Sequence, residues 1–150
     1  MNKEYDERQL KIRGDIYQRG FAIIILLMMA NGALQEFGLR WAPPFGSTLI
    51  IVMLAVVVTT VEMIIRDAYI GVRSRYSAAT IMVLLGLCAA LNIGINLLNL
   101  SHLKEPFLED GILSMTGTNL IFWGLYMVMF LAMLGKKIVE RVKREKEEEA

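Results

Sequence analysis

The sequence predicts an all-α integral membrane protein, a four-helix bundle whose N and C termini both lie in the cytoplasm. The chain of 150 residues is 55% hydrophobic, with a mean hydropathy of +0.48 that exceeds the value of a typical soluble domain. Most apolar residues fall into four long runs, and nearly all charged residues fall between the runs. The four runs cover residues of about 21–39, 45–65, 78–100 and 117–135.

Each run is long enough to cross a bilayer, since an α-helix needs about 20 mainly apolar residues to span a hydrocarbon layer of about 30 Å. Within lipid the backbone must satisfy its own hydrogen bonds, so such runs are helices. The chain is too short to hold a separate soluble domain beside the bundle. We therefore expect a single membrane domain over residues 1–150, with a helical extension over 6–20 and a charged tail over 136–150.

The distribution of Lys and Arg predicts the orientation. Only Arg40 and Lys104 lie in the connections 40–45 and 101–116, whereas the other fourteen of the sixteen basic residues lie on the opposite side. Those fourteen fall within segments 1–20, 66–77 and 136–150. Because Lys and Arg favour the cytoplasmic side, we expect a multi-pass protein of the inner (plasma) membrane with both termini inside.

The segment before the first run is predicted to be part of the first helix. Asp6 followed by Gln9 three residues later is the pattern of a capping box, which places the helix start near residue 6. Asp15 and Arg19 have the i,i+4 spacing of a stabilising ion pair. The segment mixes four acidic with five basic residues, unlike the start of a signal peptide, so we expect this helix to be retained.

Polar residues inside the apolar runs are the candidate functional groups, because lipid offers them no partner. Asn92, Asn96 and Asn99 have the spacing i, i+4, i+7 and share one helix face, with Cys88 one turn earlier. One interpretation is a seam of hydrogen bonds between helices, and the other is the polar lining of a cavity or permeation path. We favour the seam, and keep the path open because three amides exceed what packing requires.

The first run adds Asn31 and Gln35, spaced i, i+4, and Glu36, which has the spacing to pair with Arg40 near the outer interface. The second run adds Glu62, about one turn inside its end, with Arg66 one turn later. Glu62 is either one half of an interfacial ion pair or a carboxylate that binds and releases a proton. We favour the ion pair because Arg66 is so near.

The fourth run carries an aromatic stripe at the spacing i, i+4, i+7, i+11, which we interpret as a helix-packing surface rather than a ligand site. The stripe consists of Asn119, Trp123, Tyr126 and Phe130.

No catalytic constellation occurs in the sequence. His102, Glu105 and Glu109 in the connection 101–116 are the only candidate cation ligands, and we interpret them as solvated loop residues. The single histidine, His102, and the single cysteine, Cys88, provide neither a histidine pair nor a cysteine cluster. Nucleophile-elbow, zinc-protease and phosphate-loop patterns are absent. The net charge of +1 argues against a nucleic-acid partner. We therefore expect no enzyme activity, no cofactor, no metal and no bound nucleic acid.

The N-terminal motif Tyr5-Asp6-Glu7-Arg8-Gln9, followed by Arg13-Gly14, resembles the start of a group of small bacterial membrane proteins of unknown function. Members of this group commonly open with D-E-R-Q and have two to four helices, and some are encoded beside small helix-turn-helix regulators. The stretch Arg66-Asp67-Ala68-Tyr69 resembles part of the same pattern. The resemblance implies kinship and a membrane location, but it implies no chemistry.

These observations predict a non-enzymatic inner-membrane protein that acts as an accessory or regulatory component through protein contacts. We expect its partners to be the lipid bilayer and either further copies of the chain or another membrane protein. The alternative is a small oligomeric transporter or channel for an ion or small solute, which would use the asparagine face and Glu62.

Overall fold

The computed structural model describes residues 6–69, 78–102 and 106–148, and this part of the chain forms four α-helices and one short β-hairpin. The predicted all-α class is confirmed, and each helix is long and apolar enough to span a membrane, which indicates a multi-pass membrane protein. Lys3, Tyr5, Arg73, Arg75 and Lys104 lie outside the described residues. The elements are α1 Glu7–Glu36, α2 Pro44–Ile65, α3 Ala78–His102, β1 Leu108–Glu109, β2 Ile112–Leu113 and α4 Met115–Glu148.

Helix α1 begins where the capping pattern predicts. The Asp6 carboxylate accepts a hydrogen bond from the main-chain N–H of Gln9 at 2.6 Å, which satisfies one of the unpaired donors of the first turn. The helix then runs unbroken through the membrane segment. It ends at Glu36 rather than near residue 39, because Gly38 takes a left-handed conformation with φ of 77° and terminates the helix.

Helix α2 is buried on two sides. Burial alternates residue by residue over 51–58, and residues two apart on a helix point about 200° away from each other. One stripe therefore faces α1 and the other faces α4. The α1-facing stripe includes Ser47, Thr59 and Met63, and the α4-facing stripe includes Gly46, Ile50, Met53, Val57 and Ile64.

The helices are arranged in the spatial order α1–α2–α4–α3, so that α2 and α4 form the centre of the bundle and α1 and α3 flank it. Two glycines set the approach of α2 to its neighbours. A Cβ on Gly20 would overlap the methyl group of Thr59, and a Cβ on Gly46 would lie 2.9 Å from that of Thr118. Small residues at these positions let the helices pack closely.

The two ends of the bundle differ. At one end lie the start of α1, the end of α2 and the charged part of α4, and we call this the basic end. These three segments meet where Asp67 contacts Gln9 and Lys136. The opposite end, the hairpin end, holds the connection after α1 and the β-hairpin, which meet where the N–H of Leu113 donates to the main-chain oxygen of Trp41 at 3.0 Å.

The connection predicted over 101–116 contains a β-hairpin, which the sequence pattern did not predict. Leu108 pairs with Leu113 and Glu109 pairs with Ile112 across a two-residue turn. Asp110 and Gly111 both have positive φ values, 49° and 79°, as a type I′ turn requires. The Asp-Gly pair is a known signal for such a turn, but strands of two residues leave no alternating pattern in the sequence.

Helix α4 is the longest element, with 34 residues. Ser114 caps its start, since the Ser114 hydroxyl accepts from the N–H of Gly117 at 3.0 Å. The helix continues without a break through the predicted charged tail to Glu148, and residues 137–148 are all exposed. An i,i+4 ion pair of 3.0 Å between Arg141 and Glu145 supports this extension.

Candidate functional site

The best-defined polar site lies at the basic end, where α2 stops. Asp67 has a φ of 58°, and the N–H groups of Asp67 and Ala68 return to the carbonyl oxygens of Ile64 and Met63 at 3.4 and 2.8 Å. This is a Schellman-type cap, with an aspartate in the left-handed position that glycine usually fills. The cap turns the chain sharply and leaves several carbonyl oxygens without a partner inside the helix.

Helix α1 supplies donors to these oxygens. The Gln9 side-chain amide donates to the main-chain oxygen of Asp67 at 2.7 Å. The Arg13 guanidinium donates to the Ala68 oxygen at 2.9 Å and to the hydroxyl of Tyr17 at 2.7 Å. A cation at the negative end of a helix dipole is favourable, so Arg13 serves both as a donor and as a counter-charge.

Helix α4 supplies a third donor. The Lys136 ammonium lies 2.5 Å from the Asp67 carboxylate and also donates to the main-chain oxygen of Ile64. The end of α2 is thereby tied to helices on both of its sides. Three side chains, Gln9, Arg13 and Lys136, thus contact the end of α2. We call them the basic-end junction, together with the four residues that they contact, Ile64, Asp67, Ala68 and Tyr69.

Glu62, one turn before this junction, binds two arginines. Its carboxylate lies 3.0 Å from Arg66, which confirms the predicted ion pair, and 2.6 Å from Arg19 of α1. The Glu62 side chain is 26% exposed, so its charge is less screened than that of a surface carboxylate. No sequence rule indicated Arg19 as a partner, because the two residues belong to different helices.

The predicted ion pair between Asp15 and Arg19 is wrong. Arg19 contacts Asp15 only through the main-chain oxygen, at 3.3 Å from its Nε, while its guanidinium pairs with Glu62. Asp15 is exposed, and an exposed i,i+4 pair contributes only a few tenths of a kcal/mol. The partly buried Glu62 is therefore the stronger partner for Arg19.

The structure brings together the two motifs that carry the resemblance. Within the N-terminal motif, Asp6 caps α1 and Gln9 reaches the second motif at Asp67. Arg13 reaches the same turn at Ala68 and Tyr69. These residues of the two motifs thus have a structural role, which is to dock the start of α1 onto the end of α2.

A second polar cluster lies toward the hairpin end, between α1 and α2. The buried Asn31 donates to the Ser47 hydroxyl at 3.3 Å and accepts from the indole N–H of Trp41 at 2.9 Å. Gln35 donates to the same hydroxyl at 3.4 Å. Ser47 is only 1% exposed and donates to the Pro44 oxygen. Asn31 and Gln35 therefore take part in helix packing, with Trp41 and Ser47 as partners that the sequence did not reveal.

The predicted ion pair between Glu36 and Arg40 is not formed; in the described part of the chain both side chains are exposed and unpaired. The i,i+4 rule requires a continuous helix. Helix α1 ends at Glu36, and the left-handed Gly38 redirects the chain before it reaches Arg40.

Within the described residues of a single chain, the asparagine face of α3 makes no hydrogen bond to another helix, and the seam that we favoured stays a prediction for contacts between chains. Asn92 donates to the Cys88 oxygen at 2.9 Å and Asn96 donates to the Asn92 oxygen at 2.8 Å, so both hydrogen bonds stay within α3. Asn99 makes no hydrogen bond with any described residue. Asn96 is nonetheless buried, and α4 is the main neighbour of α3.

The aromatic stripe of α4 packs in the bundle. The ring of Phe130 lies over Gly86 of α3, where an added Cβ would come within 2.7 Å. Trp123 and Tyr126 form a cluster with Phe122, with ring centroids 5.2 to 5.4 Å apart.

In the described ranges no three His, Cys, Asp or Glu side chains lie close enough to hold a metal ion.

No protein-family model matches the chain, and no curated protein or solved structure matches it. Function is therefore inferred from the residues and their geometry.

Proposed function

We propose that this chain is a non-enzymatic, multi-pass protein of the bacterial inner (plasma) membrane. It acts as an accessory or regulatory component through protein contacts at its basic end. Both termini then lie in the cytoplasm, as the uneven distribution of Lys and Arg favours. The connections 40–45 and 101–116, whose basic residues in the sequence are Arg40 and Lys104, then face the opposite side.

The observation that carries this proposal is the extension of α4 beyond Lys136. Residues 137–148 continue as helix, are exposed throughout, and present Ile138, Val139 and Val142 between charged side chains. An apolar strip on a charged helix that leaves the membrane is a typical surface for binding a partner helix.

The junction gives this extension a fixed base. Lys136 ties α4 to the end of α2, while Gln9 and Arg13 tie α1 to the same turn. A partner bound to the extension would therefore be held in a defined position relative to three membrane helices. Fixed positioning is what an accessory subunit contributes to an assembly.

Self-association is part of the proposal. Helix α3 packs mainly on α4 and leaves a broad apolar face exposed, with Val83, Leu84, Leu87 and Leu91 each more than half exposed. Van der Waals packing drives association of such faces within lipid. The alternative partner for this exposed face of α3 is another membrane protein.

A small oligomeric transporter or channel is the second candidate, and one observation favours it. The amides of Asn99 and Asn119 and the hydroxyl of Tyr126 make no hydrogen bond with any described residue. Asn99 lies on α3, and Asn119 and Tyr126 lie on the adjacent α4. Polar groups within apolar membrane helices are typical of an ion or solute path.

The proposal is tested by photo-crosslinking in cells with a reactive amino acid at Val139. We expect a discrete crosslinked protein that disappears when Val142→Lys interrupts the apolar strip, while the amount of membrane-bound chain is unchanged. The control position is Val128, which is exposed on α4 inside the membrane segment. The absence of any product at Val139 would contradict the proposal, and solute flux in vesicles that is lost in Asn96→Leu would favour the transporter instead.

A further inference from the structure

An open groove lies along α1 near the basic end. Its volume is about 540 Å³, within the range of small-ligand sites. Four of its residues have the spacing i, i+3, i+4, i+7 and share one face of α1. A fifth comes from the end of α2. The lining residues are Asp15, Gln18, Arg19, Ala22 and Arg66.

The groove offers hydrogen-bonding groups that the rest of the described chain does not use. Glu62 engages Nη2 of Arg19 and Nε of Arg66, and this leaves Nη1 of Arg19 and both terminal nitrogens of Arg66 free. The Asp15 carboxylate and the Gln18 amide also make no hydrogen bond with a described residue. The groove therefore places unused N–H donors of Arg19 and Arg66 near the Asp15 carboxylate, which can accept a hydrogen bond.

The charges in and behind the groove balance. Arg19 and Arg66 are offset by Glu62, which holds them together, and by Asp15. A ligand with a net negative charge gains little from such a site. A ligand that carries one anionic and one cationic group matches it, because paired guanidinium groups bind phosphate and a carboxylate accepts from a primary ammonium.

The same face of α1 continues as an apolar stripe. Ala22 is followed at helical spacing by Ile25, Leu26 and Met29, which are 42%, 66% and 68% exposed. The polar groove thus passes directly into an exposed apolar surface, at the level where the first apolar run begins at Phe21. A ligand that fills both parts has a polar head and a long apolar tail.

We propose that the groove binds the headgroup of an aminophospholipid of the phosphatidylethanolamine type. The phosphodiester accepts hydrogen bonds from Arg19 and Arg66, the ammonium donates to Asp15, and an acyl chain lies along Ile25, Leu26 and Met29. This assignment rests on the membrane location proposed above, although not on which side of the membrane the basic end faces.

The test is native mass spectrometry of the full-length protein with equal amounts of phosphatidylethanolamine, phosphatidylcholine and phosphatidylglycerol that share the same acyl chains. We expect preferential retention of phosphatidylethanolamine. Asp15→Asn should lower the preference for ethanolamine over choline about tenfold, as expected for one charge-assisted hydrogen bond. Arg66→Gln should lower retention of ethanolamine and choline lipids alike, because both carry the phosphate.

The matched controls are Glu140→Gln and Arg144→Gln on the exposed α4 extension, which should leave retention unchanged. Asp15 makes no side-chain contact that folding depends on, so its variant keeps the test valid if Arg66→Gln is unstable. Equal retention of the three lipids, or an unchanged preference in Asp15→Asn, would overturn the assignment. Equal competition by soluble glycerophosphoethanolamine would also overturn it, in favour of a soluble ligand.

Membrane fractionation separates this test from that of the proposed function. A chain that does not sediment with membranes contradicts the membrane location, and with it the proposed function. A chain that is integrated in the membrane but shows no lipid preference contradicts the groove assignment alone.

Discussion

The Arg13 guanidinium donates to the main-chain oxygen of Ala68 at 2.9 Å, across 55 residues of sequence. The oxygen belongs to the turn that ends α2, and the arginine lies two turns inside α1. One side chain thereby satisfies a carbonyl that α2 cannot satisfy itself, and it fixes the register of the two helices.

Replacement of Arg13 should therefore destabilise the fold. We expect Arg13→Ala to lower the free energy of unfolding by about 1 to 3 kcal/mol, the usual cost of losing hydrogen bonds from a charged donor. Thermal unfolding in detergent measures the effect. Arg8→Ala is the control, since Arg8 is exposed and makes no hydrogen bond with a described residue. Equal losses in both variants would show that helix charge, rather than the contact with Ala68, matters.

Because Glu62 is shared by two arginines, we expect its replacement to lower stability more than the replacement of Arg66 does. Glu62→Gln removes the shared partner of Arg19 and Arg66, whereas Arg66→Gln leaves the 2.6 Å pair with Arg19 intact. Both effects should be modest, under about 1 kcal/mol for each pair, because the arginines are about half exposed. Unfolding of both variants and of the double variant measures the coupling. Proton-driven flux in vesicles that disappears in Glu62→Gln alone would contradict a structural role.

Within the polar cluster toward the hairpin end, replacement of Asn31 should lower stability more than replacement of Gln35. Asn31→Leu leaves the Trp41 indole N–H without its partner and removes one of the two amide donors to the buried Ser47 hydroxyl, at a cost of about 1 to 3 kcal/mol. A shift in tryptophan fluorescence should accompany the loss of stability. Gln35→Leu should cost less, because Gln35 makes only a single bond of 3.4 Å to the same hydroxyl. The reverse order of the two variants would refute this account.

Gly20 tests how closely α1 and α2 pack. Gly20→Ala should destabilise the protein by about 1 to 3 kcal/mol, because the new methyl group overlaps Thr59. The double variant with Thr59→Ala should recover most of the loss. Gly32→Ala is the control; nothing lies within 4 Å of its added Cβ, and alanine favours a helix by up to about 1 kcal/mol over glycine. No difference between Gly20→Ala and Gly32→Ala would contradict the packing.

Orientation is tested by labelling with a membrane-impermeant thiol reagent in a background without Cys88. A cysteine at Leu108 should react in intact cells, because it is exposed on the hairpin end. Cysteines at Arg8 and Glu145 should react only after the membrane is opened. Labelling of either position in intact cells would reverse the proposed topology.

The elements that sequence predicts well here depend on local rules. Apolar runs located the helices, Asp6 marked the start of α1, and the spacing of Glu62 and Arg66 gave an ion pair, since each needs only a few neighbouring residues. The same spacing rule was wrong for Glu36 and Arg40, because it assumes a helix that Gly38 ends. Spacing rules such as i,i+4 therefore hold only where the end of the helix has been predicted correctly.

The remaining features depend on which helices are neighbours. Arg19 with Glu62 and Lys136 with Asp67 are separated by 43 and 69 residues, and they meet only because α2 lies between α1 and α4. Hydrophobic periodicity does not specify that order, because every run is apolar on most of its surface. The asparagine face is a related case, since spacing shows that three amides share a face but not whether they bond to another helix or to their own.

Residues at both ends of α4 contact the ends of α2. Leu113, just before α4, donates to Trp41 at the entrance of α2, and Lys136 contacts Asp67 at its exit. During synthesis these two donors leave the ribosome long after α1 and α2 have been made. A nascent chain that holds only the first three helices therefore lacks both donors, although Gln9 and Arg13 of α1 already contact the end of α2. Helix α4 therefore completes the contacts at the exit of α2, and truncations before Lys136 should be degraded rather than accumulate as partial bundles.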